Sequence, residues 1–302
     1  MKAPFFEATT MKSARVLITF AAVAFVATQA SLAWGAVAAP SVSDRRTETR
    51  VEALKNGSKL WVKNRNGAIR VVGWDREEVS LSADIKDTER RRIQLVVQRK
   101  GADLDIEAVF QQPGFSFSFG FVQSPRCEMT LSVPRKLAAY FRTTNGTVEA
   151  SAMEGYVRCE TTNGDIRVKD IAGEVQAQTT NGGIEAQRLN ARMKGETTNG
   201  RIQLEEVLGG VNACTTNGGI HAKNLEGWGE GITLETTNGG IDVELGKATG
   251  RIEASTTNGG VELKANGMQD VEVTKRSGHA TIPGRTQKIR LSTTNGGIHV
   301  RP

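Results

Sequence analysis

Thr161-Thr162-Asn163-Gly164-Asp165-Ile166-Arg167-Val168-Lys169-Asp170-Ile171-Ala172-Gly173-Glu174-Val175-Gln176-Ala177-Gln178 is one period of a repeat, and Thr179-Thr180-Asn181-Gly182 begins the next. The tetrapeptide Thr-Thr-Asn-Gly starts at Thr143, Thr161, Thr179, Thr197, Thr215, Thr236, Thr256 and Thr293, with spacings of 18, 18, 18, 18, 21, 20 and 37 residues. The last gap is close to two periods, and Arg276-Ser277-Gly278 with Ala280 and Ile282 reads there as a degraded corner. A fainter relative, Asn64-Arg65-Asn66-Gly67-Ala68-Ile69, lies upstream. A fixed period of this length marks a solenoid, in which each unit buries its apolar face only by stacking on its neighbours.

Counted from the first Thr, apolar residues fall at positions 6, 8, 11, 15 and 17. Position 6 reads Val148, Ile166, Ile184, Ile202, Ile220, Ile241, Val261 and Ile298, and position 8 includes Val168, Leu204, Val243 and Leu263. The alternation within each half has period two, so each unit is two short strands and not a helix. A break near position 13, often Gly (Gly155, Gly173, Gly209), separates them. The expected fold is all-β: a parallel β-solenoid of about nine coils of 18–21 residues, stacked ~4.8 Å apart.

Each coil turns at an Asn-Gly pair: Asn145-Gly146, Asn163-Gly164, Asn181-Gly182, Asn199-Gly200, Asn217-Gly218, Asn238-Gly239, Asn258-Gly259 and Asn295-Gly296. Gly tolerates φ > 0, which is the reason the sequence offers for placing it at a sharp corner. Stacked in sequence order, the Asn side chains form a column able to hydrogen-bond as a ladder. We assign these residues a structural role and find no catalytic, cofactor or metal residues to assign. Position 7 runs Glu149, Arg167, Glu185, Gln203, His221, Asp242, Glu262, and its changes of sign suit neighbouring strands that neutralise one another.

The 302 residues hold 33 Gly, 7 Pro and only 5% aromatics, a composition suited to repeated corners. The formal charge of +6 is too mild to imply nucleic acid. Lys12 and Arg15 precede an apolar run over residues 16–30 and the tripeptide Ala36-Val37-Ala38. That is the pattern of a secretory signal peptide, expected to occupy residues 1–38 with cleavage near Ala38. The protein is therefore expected to be exported, to the periplasm or the cell surface, with no membrane span after cleavage. Cys127, Cys159 and Cys214 are odd in number and widely spaced, so no disulfide framework is expected.

Residues 39–140 alternate without the strict repeat and are expected to form a β-rich capping region before the solenoid of residues 141–302. Strands are expected at 59–63, 68–72, 79–85, 93–98, 104–110 and 128–133, with a short helical turn at 87–92. Phe115, Phe117, Phe119 and Phe121 alternate with small residues and are expected to cover the end of the core, the alternative being a partner-binding or membrane-touching loop. At the other end the last coil leaves an open edge, which Arg301 and Pro302 would blunt.

The Thr-Thr-Asn-Gly-x-Ile corners, the unit Asn66-Gly67-Ala68-Ile69-Arg70-Val71 and the strand Leu131-Ser132-Val133-Pro134 resemble a bacterial putative adhesin family of cell-envelope β-repeat domains whose function is unknown. The resemblance covers residues 51–302. It implies a β-solenoid and an envelope location, and it carries no catalytic residues.

These readings point to a non-catalytic structural or interaction protein of the envelope, whose partner is an envelope protein or a glycan. A polysaccharide-acting β-helix enzyme is the alternative. It needs clustered carboxylates on one face, whereas acids and bases alternate here. The solenoid region offers few sugar-stacking aromatics (Phe141, Tyr156 and Trp228). His221 and His299 share a column, but sequence-order stacking separates them by about four coils, or ~19 Å, too far to share a metal. An outward Thr column binding an ordered surface such as ice or a crystalline polymer is a further reading.

Overall fold

In the computed structural model the described residues are 44–88, 91–111, 124–264, 267–284 and 287–301. The expected signal peptide, the Phe115 to Phe121 segment and Pro302 lie outside them. The described residues form one compact unit.

The N-terminal strands are β1 (Arg45–Ala53), β2 (Lys59–Lys63), β3 (Ile69–Trp74), β4 (Glu78–Lys86), β5 (Ile93–Lys100), β6 (Asp103–Phe110), β7 (Arg126–Pro134) and β8 (Lys136–Arg142). The strict repeats form β9 (Val148–Glu160), β10 (Ile166–Thr179), β11 (Ile184–Thr197), β12 (Ile202–Asn217), β13 (Ile220–Asn238), β14 (Ile241–Glu244), β15 (Gly250–Asn258) and β16 (Val261–Leu263). The chain continues through β17 (Gln269–Val273), β18 (Ser277–Ile282), β19 (Lys288–Asn295) and β20 (Ile298–Arg301).

The period-two pattern becomes an alternation of buried and outward residues, BeBeeB at the start of β10. Consecutive coils pair in parallel and in register, Ile166 opposite Ile184 and Ile184 opposite Ile202. Position 6 is therefore a continuous inner column, with Ile166, Ile202, Ile220, Ile241 and Ile298 fully buried. Burying each such side chain contributes about 1.5–3 kcal/mol, and it requires a neighbouring coil on both sides.

The second turn begins earlier than the break expected at position 13, where Gly155 (φ 124°) and Gly173 (φ 117°) also take positive φ. Ala152, Asp170, Arg188, Glu206 and Asn224, all at position 10, take left-handed φ values of 49–56°. The chain thus bends at position 10 and stays hydrogen-bonded through position 13, where Gly173 pairs with Gly155 and Ala191. The 21-residue spacing after Thr215 is absorbed at this turn, by a register shift between Val207 and Val211 of β12 against β13.

Among the described residues nine coils carry a corner, the first being β2–β3 with Asn64 to Gly67. Their order in space is not their order in sequence. β2 lies between β6 and β8, and β3 between β7 and β9, so the β2–β3 coil stacks directly on the one that begins the strict repeats. At the far end β19 lies between β13 and β15, and β20 between β14 and β16. The last coil in sequence is thus an inner coil, which corrects the expected open edge: Arg301 sits opposite Glu244. The stretch read as a degraded corner is no coil either. It is β18, antiparallel to both β15 and β17.

Antiparallel strands close the stack at both ends. β4 pairs with β7 and then β1 on one face, and β5 pairs with β6 on the other. Of the helical turn expected at 87–92, residues 89 and 90 lie outside the described residues, and the flanking Thr88 and Arg91 instead exchange both backbone hydrogen bonds as an antiparallel bridge. Asp87 carries the adjacent geometry by accepting the backbone N–H of Ile93 at 2.8 Å and pairing with Arg46.

Candidate functional site

The regular spacing of the corners builds one continuous edge. Each Asn donates Nδ2–H to the Oδ1 of the next: Asn163 to Asn145, Asn181 to Asn163, Asn199 to Asn181, Asn217 to Asn199 and Asn238 to Asn217, at 2.8–2.9 Å. The ladder then follows space and not sequence, from Asn295 to Asn238 and from Asn258 to Asn295. Upstream, Asn66 turns its amide to the carbonyl of Pro125 at 2.7 Å.

The glycines of the corners act by closeness and not by dihedral freedom. Among the eight, only Gly146 has a positive φ in the range that disfavours side chains. A Cβ on Gly164, Gly182, Gly200, Gly218 or Gly239 would instead lie 1.9–2.1 Å from the carbonyl oxygen of the Gly one coil away. Successive corners are packed backbone on backbone, and only hydrogen fits between them.

The two threonines divide the work. The first of each pair is buried and donates its hydroxyl to the neighbouring Gly carbonyl: Thr161 to Gly146, Thr179 to Gly164, Thr197 to Gly182 and Thr215 to Gly200, at 2.9–3.0 Å. The second, as in Thr180, is exposed. Thr179→Val should cost about 1–2 kcal/mol, because the Gly164 carbonyl loses its buried donor, while Thr180→Val should change stability by less than about 0.5 kcal/mol. Equal effects in urea unfolding would contradict this division.

Outward from the corner, position 7 reads, in spatial order, Arg70, Glu149, Arg167, Glu185, Gln203, His221, Asp242, His299, Glu262. Glu149 lies between Arg70 (3.4 Å) and Arg167 (3.1 Å), and Arg167 also reaches Glu185 at 3.5 Å. These are half-exposed pairs, each worth about 0–1 kcal/mol. The insertion of β20 corrects the histidine spacing: His221 and His299 are two coils apart, ~10 Å, with Asp242 between them. His221 Nδ1 lies 3.3 Å from Asp242 and His299 Nδ1 3.1 Å from Glu262. Hydrogen bonds from Lys264 and then His299 hold the Glu262 carboxyl below its ordinary range. Glu185, His221 and Asp242, together with Glu205, Lys223 and Glu244, border an open groove. Among the described residues no three His, Cys, Asp or Glu gather as metal ligands.

Sequence reading missed an aromatic row on the opposite face. Trp61 and Tyr140 stack across β2 and β8 with ring centroids 5.4 Å apart and planes 10° from parallel, and Tyr156 follows at 5.4 Å, tilted by 48°. Tyr140 and Tyr156 lie on consecutive strands that pair, whereas Trp61 is far from both in the chain, and only the stacking of β2 on β8 brings it to them. Phe141, expected as an outward aromatic, is buried.

All three cysteines are free. Burial pushes the Cys127 and Cys159 thiols up to about 12, and burial also raises that of half-exposed Cys214. Iodoacetamide at pH 8 should therefore label Cys214 alone in the folded protein and all three after unfolding. A folded state that keeps two thiols protonated while the unfolded chain ionises near pH 9 loses stability as pH rises from about 9 to 12.

Fold and edge together define a two-faced β-solenoid, closed at both ends by antiparallel strands and held along one edge by an asparagine ladder. The model of the Toastrack DUF4097 family matches residues 57–301, and the chain belongs to that family. No curated protein matches the sequence. Among solved structures the chain is similar to a putative adhesin from Bacteroides fragilis (12% identity, covering 85% of this chain and 97% of that one, TM-score 0.46). It is also similar to a putative cell adhesion protein from Clostridium sporogenes (13%, 85% and 99%, TM-score 0.26). A third is a putative lipid binding protein from Parabacteroides distasonis (15%, 85% and 96%, TM-score 0.38).

Proposed function

We propose that the protein is an exported, non-catalytic binding scaffold of the bacterial cell envelope, which holds an envelope protein or a glycan along an outward face of the solenoid. The observation that carries this reading is the register of the outward columns. From Arg70 to Glu185 each charged side chain of position 7 meets its opposite on the adjacent coil. Such a face presents a long, rigid array of polar groups and no convergent pair of carboxylates. Membership of the Toastrack family and the secretory pattern of residues 1–38 support the reading.

The test is binding of the exported, tagged full-length protein to a solubilised envelope fraction. Loss of binding after protease treatment assigns a protein partner, and loss after periodate oxidation assigns a glycan. Release of reducing ends from an envelope polysaccharide would replace this reading with the enzymatic one. Mass spectrometry of the same sample should find the N-terminus near Ala39.

A further inference from the structure

We propose that the C-terminal coil is an exchangeable element, and that β19 and β20 of one copy can occupy the same slot in a second copy of this chain. The slot is defined by what fills it. β19 is paired on both sides, with β13 and β15, and β20 with β14 and β16. Ile289, Leu291, Ile298 and Val300 are buried there. The corner supplies the rest: Thr293 donates to the Gly239 carbonyl, Thr256 donates to the Gly296 carbonyl, and Asn295 forms the rung between Asn238 and Asn258.

The two coils that flank the slot are consecutive in sequence and carry the same corner. Without β19 and β20 between them they present matching edges to each other, Asn238 towards Asn258 and Ile241 towards Val261. Direct stacking of β15–β16 on β13–β14 is thus a competing closure of the same chain. With β18 held on the other edge of β15, it leaves the last coil with two unpaired edges and four apolar side chains to bury. A slot of identical pattern in another copy satisfies them, and reciprocal exchange recreates every contact of the single chain.

Charge favours this coil over others as the occupant. Arg290 faces Glu253 at 3.8 Å, His299 lies between Asp242 and Glu262, and Arg301 is opposite Glu244. The inserted coil thus sets Arg290 beside Glu253 on one neighbour, with Thr233 on the other, and Arg301 beside Glu244, while Lys288 lies opposite Arg251. The chain leaves β18 on one side of β15 and enters β19 on the other, Ile282 being opposite Gly250 and Lys288 opposite Arg251. The single chain and the exchanged pair share the same strand pairings, so concentration sets their balance.

Ser255 and Ser292 are direct neighbours on β15 and β19, ~4.8 Å apart as adjacent strands are and within the ~4.4–6.8 Å that a disulfide spans. In a full-length Cys214→Ser background, one chain carries Ser255→Cys and a second, differently tagged, carries Ser292→Cys. Unfolded together and refolded at high concentration, they should give a disulfide-linked heterodimer at least tenfold above a control in which Ser151→Cys replaces Ser255→Cys. Ser255→Cys with Ser292→Cys in one chain should close internally at high dilution. If that internal bond forms but the mixed chains give no more dimer than the control, exchange does not occur. If the internal bond fails to form, β19 is not beside β15 and the proposal falls with it.

Discussion

Gly182→Ala is expected to lose about 2–3 kcal/mol of stability, the upper range for over-packing a close-packed site. A Cβ at this position would sit 2.0 Å from the carbonyl oxygen of Gly164, a backbone atom that is itself held by the Thr179 hydroxyl. Neither side can yield without moving a coil, and the same contact recurs at the next corner, where Gly200 meets the Gly182 carbonyl. The control is Gly260→Ala, one residue beyond a corner, where a Cβ meets nothing within 4 Å and φ is unremarkable. There Ala should be neutral, or stabilise by up to about 1 kcal/mol through the unfolded chain. Urea unfolding of the two variants separates close approach from dihedral freedom. If both cost the same, stacking of the corners is not what excludes a side chain.

Leu291→Ala is expected to cost about 2–5 kcal/mol, as for a fully buried leucine. Its size is informative because Leu291 lies near the end of the chain. In a stack that followed sequence order, its coil would be terminal and able to fray. In the observed stack it has Leu234 on one side and Ala254 on the other, so a cavity there weakens two interfaces. Val271 on β17 is the counterpart: it precedes Leu291 in sequence but lies on the outermost strand, about half exposed. Val271→Ala should change stability by no more than about 0.5 kcal/mol. A small loss for Leu291→Ala together with a large one for Val271→Ala would mean that the C-terminal coil is not inserted.

The inner residues are legible from the period-two pattern, because a two-faced coil leaves an apolar side chain nowhere else to go. The six N-terminal strands expected from alternation are all present. β1 escapes the same reading, because its burial pattern, eieieeeie, is that of an outer strand with little apolar demand. The asparagine ladder is legible as well. The role of the glycines is not, since a demand for φ > 0 and a demand for close approach select the same residue. The left-handed turn at position 10 is hidden for a related reason. It is filled by Ala, Asp, Arg, Glu and Asn, which share no side-chain property, and neighbouring coils hold the backbone there.

The unit is written in the local pattern: two short strands, a Thr-Thr-Asn-Gly corner, an apolar inner column and a parallel stack, each required by the periodicity and by the chemistry of the corner. Which coil lies beside which is a property of the folded chain alone. Every corner offers the same asparagine rung, the same glycine carbonyl and the same apolar edge, so local pattern cannot distinguish one neighbour from another. The order follows from groups that differ between coils or lie outside them: the antiparallel strands β1, β4, β5 and β18 that close the ends, and Arg290 and Arg301 beside Glu253 and Glu244. The aromatic row and the spacing of the two histidines follow from that order, and for that reason neither could be read along the chain.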